Sequence, residues 1–465
     1  MTFVEKINNE LSQELKRSQL KTRTNTSNGL WLVIILPLCV ITSCIKYSPV
    51  SDVYMICSII SIGLIINSVF GLFHKEEKPF RQIGSIASSL FIALTLTLYA
   101  NYGVVLNLLF AISSSVSYHT VLLTLIEFCP LSFTYGEASI TAQTAILFLV
   151  TSLVNISSST IHLPNTCFDT ATLILQVGLL GIKIICLSCF VIKSLRNWGP
   201  FYAFSFGIVA GGIVPALHFL LNASPLLLIF NLITEDKLTM FLFGYWIFCC
   251  VAAVLVISTQ LMINSKASTA VRKYFHILAV AVYIPGLVVN PCLIYLSSGI
   301  VFALFIILEA SRIMRLPPLG KILQEAFQNF ADEKDEGPLA LTPIYLLVGC
   351  SAPVWIHPHP VNKCDLIPLL AGILSVGVGD TAASMVGSKF GRHPWIGTNK
   401  SKEGTAACIL SQISLLLILV YFKVLTFKCI FHPITAIIII SFVEAKTDQV
   451  DNLALPLLMY FLLVV

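Results

Sequence analysis

Residues 376 to 405, VGVGDTAASMVGSKFGRHPWIGTNKSKEGT, interrupt an apolar run with one acid, Asp380, and then a basic loop rich in glycine. Hydrocarbon does not tolerate an ionisable side chain cheaply, so Asp380 is a functional candidate by default. Lys389, Arg392, His393, Lys400 and Lys402 follow it, spaced among Gly387, Gly391, Gly397 and Gly404. Glycines let backbone N–H groups approach an anion, and lysines bring point charges to phosphates. Further on, Glu444, Asp448 and Asp451 fall at i, i+4 and i+7, a spacing that puts three carboxylates on one helix face. Like charges so placed repel unless a cation sits among them. Acids beside such a loop are what a magnesium ion bridging phosphates requires. The two stretches together therefore read as a site for a metal-bound nucleotide. The loop is no P-loop, because Pro394 and Asn399 stand where glycines must precede Lys400 and Ser401. Gly387-x-x-x-Gly391 is equally the spacing of plain close helix packing.

Other polar groups interrupt the apolar chain. Glu127 and Glu137 bracket EFCPLSFTYGE, a short break in which the plain reading is two solvated acids. In STAVRKYFHI, Arg272 and His276 are four apart and share a helix face, with Lys273 beside them. Snorkelling cations at a span end explain Arg272 and Lys273 as well. Glu309 and Arg312, three apart, can pair locally, and Asp332, Glu333 and Asp335 sit in the longest polar loop, 320–338, where acids usually only solubilise.

The elements that position these groups follow from composition. The chain has 465 residues, 57% hydrophobic and 11% charged, with a mean hydropathy of +0.89, which excludes a soluble globular domain. Apolar runs long enough to span a bilayer recur from residue 29 onward, and the fold expected is an all-α, polytopic integral membrane protein of about 12–15 transmembrane helices. Nothing shows the short alternation of a β-barrel. The net charge of +5 is concentrated in six clusters: the N-terminal tail, Lys75 to Arg81, Lys193 to Arg196, Lys266 to Lys273, Arg312 to Lys334 and Lys389 to Lys402. An even number of expected spans separates each successive pair, so all six fall on one face, the cytosolic one by the positive-inside rule. Residues 1–28 read as a cytosolic tail with an amphipathic, surface-lying helix, 29–262 as a transmembrane scaffold and 263–465 as the region carrying the chemistry. The Asn155 and Asn222 sequons fall on the lumenal face, those at Asn25 and Asn399 on the cytosolic one. The fourteen cysteines lie mostly within apolar runs and read as small hydrophobes, Cys186-x-x-Cys189 in mid-span included. No nucleic-acid partner is expected, and oligomeric state is left open.

Several of these stretches together resemble the dolichol kinases, CTP-dependent polyprenol kinases of the endoplasmic reticulum. The resemblance runs from about residue 127 to 456 through SFTYGEA (132–138), VRKYFH (271–276), FADEKDEGPLALTPIYLLVG (330–349) and the pattern D-x-x-A-x-x-x-G-x-x-x-G with a later basic element. It implies transfer of the CTP γ-phosphate to the terminal hydroxyl of dolichol, at the cytosolic face of the endoplasmic reticulum membrane. Carried onto this chain, it implies CTP binding by Gly379, Ala383, Gly387, Gly391, Lys400, Ser401, Lys402, Glu403 and Gly404. Asn399 stands where the family has a lysine, with Lys402 the substitute in reach. Magnesium is expected on Asp380, Asp448 and Asp451. Glu137, Glu444 and His276 are the open candidates for a base near the prenyl hydroxyl. Kinases of other lipid alcohols, such as phytol or diacylglycerol, share the loop and are the nearest rivals. A cytidylyltransferase signature is missing, and no internal repeat supports a transporter.

Overall fold

Lipid offers backbone amides no partner, so apolar runs of this length satisfy themselves as helices. The computed structural model describes residues 3–24, 26–72, 78–99, 103–159, 163–263, 265–331, 335–359, 366–426 and 430–465; Asn25, Lys75, Asp332, Glu333 and Lys334, singled out above, lie outside the described residues. Among the described residues the chain is helical with no sheet, its one strand-like pairing being the isolated bridge between Pro394 and Ser401. Nine helices in the described residues are long and apolar enough to cross a membrane, including Tyr135–Ser159, Cys167–Val191, Thr269–Val289, Pro291–Ile313 and Lys402–Tyr421. Five more apolar helices are shorter, among them Leu32–Lys46, Leu341–Ile356 and the final Asp451–Val464. The protein is thus an all-α, multi-pass membrane protein.

One main hydrophobic core includes Leu11 and Leu15 near the start and Leu463 and Val464 at the end. It joins the expected scaffold to the region that carries the acids. The helix Phe3–Arg17, expected to lie on the bilayer surface, packs on the protein through buried Leu11 and Leu15. A disulfide joins Cys167 to Cys292, so the reading of every cysteine as a packing residue fails for this pair; each begins a helix at the end of the bundle away from the acids. Cys186 and Cys189 are free.

The stretch around Asp380 has an unusual backbone. From Leu366 to Phe390 the chain stays essentially helical but widens into a π-helical segment over Ile373–Asp380, the kind of irregularity that collects at functional sites. Its neighbours pack tightly against it: a Cβ on Gly379 would come within 2.7 Å of Gln412 Nε2. The widened turns end on Asp380, which is buried, and the helix Thr381–Phe390 resumes from there.

Candidate functional site

Five stretches, joined by Thr342 at the start of Leu341–Ile356, meet at one end of the bundle. They are the start of Thr269–Val289, the run through Asp380 into Thr381–Phe390, the turn leading into Lys402–Tyr421, the end of Phe431–Lys446 and the start of Asp451–Val464. They enclose a cavity of about 400 Å³. Asp380, Ser384 and Ser388 line it at helical spacing, facing Arg272, Lys273 and His276. Lys273 forms an ion pair with Asp380, and His276 Nε2 lies 3.5 Å from the same carboxylate. Across the cavity Lys400 pairs with Glu444 and also donates to the Glu444 carbonyl at 2.9 Å. Asp451, Asn452 and Asn399 complete the polar wall. Burial alone would lower the Lys400 ammonium, but Glu444, Asp451 and Asp380 outweigh it and hold its pKa above the usual lysine value. Three cations, Arg272, Lys273 and Lys400, thus share the cavity with three acids, Asp380, Glu444 and Asp451.

Local chemistry explains how the loop delivers Lys400. The turn closes with Trp395 N–H donating to the Lys400 carbonyl at 2.8 Å and Lys402 N–H donating to His393 at 2.8 Å. Ser401 then caps the next helix, its Oγ accepting from Gly404 N–H at 3.1 Å. Gly404 must be glycine for close approach, since a Cβ there would lie 2.9 Å from the Ala383 carbonyl. So Ala383, Gly387, Ser401 and Gly404 line the cavity, and the glycine spacing serves helix packing at the same time. Gly379 and Gly391 are not among its lining residues. Lys402 is not among the cavity's lining residues and lies over the Trp395 ring at 5.6 Å, whereas Asn399, where the family has a lysine, lines the wall. Glu403 also lies outside, accepting from His393 Nδ1 at 2.5 Å.

The three-acid helix face does not form. The helix ends at Lys446, residues 447–450 are irregular, and a new helix begins at Asp451. Glu444 and Asp451 reach the cavity from two elements, while Asp448 turns away and accepts from the Ser27 amide and, at 2.9 Å, its hydroxyl. Burial would raise the Asp448 carboxyl, but the bonds from Ser27 and Gln449 leave it below the usual aspartate value. Glu137 also lies away from the cavity. It is fully buried, its carboxylate accepting from Arg23 at 2.5 Å and from the Thr134 and Val450 amides at 3.0 Å each. Thr134 and Glu137 form a reciprocal cap of their helix, the structural sense of the T-x-x-E in SFTYGE. Glu309 pairs with Arg312 as its spacing allows, and the two fasten Ala340 N–H and the Pro338 carbonyl. Asp335 accepts from the Leu341 and Thr342 amides, which presents Thr342 to the cavity.

The family model for dolichol kinase matches residues 115–405. Dolichol kinase of Bos taurus is 35% identical over 380 residues, covering 78% of this chain and 70% of that protein. This chain belongs to the dolichol kinase family. Dolichol kinase of Homo sapiens is 35% identical over 358 residues, 73% of this chain and 66% of that protein. Dolichol kinase of Saccharomyces cerevisiae is 25% identical over 463 residues, 91% and 84% of the two chains. The chain spans about two thirds of the length of the two mammalian relatives. No solved structure matches it. Within the dolichol kinase match lie Lys273, His276, Asp380 and Lys400, whereas Glu444, Asp451 and Asn452 fall beyond residue 405 and are brought to the cavity by the fold.

The sequence reading missed Thr269, Thr342, Ser384, Ser388, Thr405 and Asn452 as wall residues. Ser384 and Ser388 repeat the Asp380 position at intervals of four, a signal that was available; Asn452 is buried with its Oδ1 unbonded, which only the structure reveals. Among the described residues no three of His, Cys, Asp and Glu gather closely enough to hold a metal by themselves. The donor set fits instead a cation that arrives on phosphates, because magnesium takes one or two carboxylates and fills its remaining positions with phosphate oxygens and water.

Proposed function

We propose that this membrane kinase transfers the γ-phosphate of CTP to the terminal hydroxyl of dolichol, giving dolichyl phosphate and CDP, at the cytosolic surface of the endoplasmic reticulum membrane. The observation that carries the reading is the convergence of Asp380, Lys273, Lys400, Glu444 and Asp451 on one cavity at the loop end of a membrane bundle, in a chain of this family. A water-soluble triphosphate must meet an alcohol whose tail stays in lipid, and a cavity at the helix ends is where the two can meet. Lys273 and Lys400 hold the phosphates in exchange for their carboxylate partners, and Ser384, Ser388 and the Gly404 turn border the same space. Magnesium bound with the nucleotide would be held by Asp380 and Asp451 and would supply neutralisation of the phosphate charge. Phosphoryl transfer rests largely on such positioning and charge balance. The Cys167–Cys292 disulfide supports the orientation: it lies at the far end of the bundle, and disulfides persist in oxidising compartments such as the endoplasmic reticulum lumen.

The test is an assay on membranes expressing the chain, offering γ-labelled CTP or ATP with dolichol, phytol or diacylglycerol. Label from CTP in dolichyl phosphate is the expected result. Label in another lipid would keep the site and change the acceptor, and no transfer by a well-expressed protein would overturn the reading.

A further inference from the structure

We propose that residues 21–24 and 26–28 form a strap that sets the position of Asp451 and Asn452, with Glu137 and Asp448 as its anchors, so that these two acids act as positioning residues and neither meets substrate or metal. The inference rests on the reading of the cavity as the kinase site. The strap ties three loops that are distant in sequence. On the first, Arg23 N–H donates to the Phe133 carbonyl at 2.9 Å, Leu131 N–H to Lys21 at 2.9 Å and Gly136 N–H to Asn28 at 2.9 Å. On the second, Thr24 donates its amide and hydroxyl to Glu336, in the loop that leads to Thr342. The third is the irregular segment 447–450, where Asp448 takes both donors of Ser27 and Gln449 Nε2 donates to the Ser27 carbonyl at 3.0 Å.

Glu137 locks the assembly from beneath. It neutralises Arg23, whose side chain is 1% exposed, and the same carboxylate oxygen also takes the amide of Val450, the residue before Asp451. Gln449 bridges the two sides, accepting from the Thr134 hydroxyl at 2.7 Å. The backbone immediately before Asp451 is thereby fixed by donors and acceptors that belong to the tail and to the 131–137 turn. The helix that begins at Asp451 gets no side-chain cap from Val450, so the bonds that hold residues 448–450 fix where it starts.

The experiment uses the full chain with Asp448→Asn, Asp448→Ala, Ser27→Ala and the double variant Ser27→Ala/Asp448→Ala, measuring kcat and KM for CTP at several magnesium concentrations. An asparagine oxygen still accepts from Ser27, so Asp448→Asn is expected to lose less than about threefold in kcat/KM and Asp448→Ala about tenfold. The double variant should be no slower than Asp448→Ala, because both changes break the same contact. Equal loss in Asn and Ala variants with a shifted magnesium requirement would make Asp448 a metal ligand and overturn the proposal, as would losses that multiply. A wild-type chain that phosphorylates no dolichol would defeat the kinase reading, and the same cycle in melting temperatures would still decide the strap.

Discussion

Asp380→Asn separates what the Asp380 carboxylate does for folding from what it does for chemistry. The Lys273 and Asp380 side chains are only 13% and 6% exposed, so the substitution leaves a buried ammonium facing a neutral amide. Removing one partner of a buried pair costs about 3–5 kcal/mol. The lower end applies because Asp451 shares the cavity with Lys273, and a loss of about 3 kcal/mol in a chain of this size lowers the melting temperature by on the order of 5 °C. Asp380→Asn/Lys273→Met removes the stranded cation along with the anion and should recover most of that shift. Activity should behave differently: Asp380→Asn should lose about 10²–10³-fold, the usual consequence of deleting one group that stabilises transition-state charge, and the double variant, which also removes a phosphate-holding ammonium, at least as much. Thermal unfolding of purified protein in detergent gives the first readout and label transfer from CTP the second. A double variant as unstable as the single one would refute the pairing argument, and a well-folded Asp380→Asn with normal turnover would refute the site.

Two further outcomes follow from the same geometry. Lys400 has a folded-state pKa above its unfolded value of about 10.4, so its pair with Glu444 contributes fully below that pH and is lost as pH rises through the folded pKa. Melting curves between neutral and strongly alkaline pH should show this decline, and Lys400→Met should flatten it; an unchanged alkaline limb would contradict the pair. Gly404→Ala sets a methyl 2.9 Å from the Ala383 carbonyl, a backbone atom that cannot swing aside, so it should cost about 1–3 kcal/mol and widen the cavity wall, seen as a raised KM for CTP.

The membrane architecture was legible because hydrocarbon imposes a single rule on every span, and Asp380 with Lys400 was legible because charge in such a chain is rare. What sequence spacing misjudged was the end of the acid helix. Periodicity put Glu444, Asp448 and Asp451 on one face, but residues 447–450 gain more from bonds to Ser27 and Glu137 than from one more helical turn, and those partners are 421 and 313 residues away. Glu137 was similarly opaque: an acid beside Pro and Gly reads as a loop charge until Arg23 is seen against it. Lys400 and Lys402 both read as phosphate ligands in the sequence, and only the turn through Trp395 shows that Lys400 faces the cavity while Lys402 lies over the Trp395 ring.

The bond between Cys167 and Cys292 closes a covalent ring, with 125 residues of separation between its ends. A single cut anywhere in that ring leaves the chain in one piece, so a nick in the loops around residues 193–197 or 265–268 does not release the helices that bear Arg272, Lys273 and Asp380. Proteolytic fragments of this protein will therefore migrate together until a reductant is added, and the half that carries the cavity stays tethered to its scaffold through the face that is farthest from the chemistry.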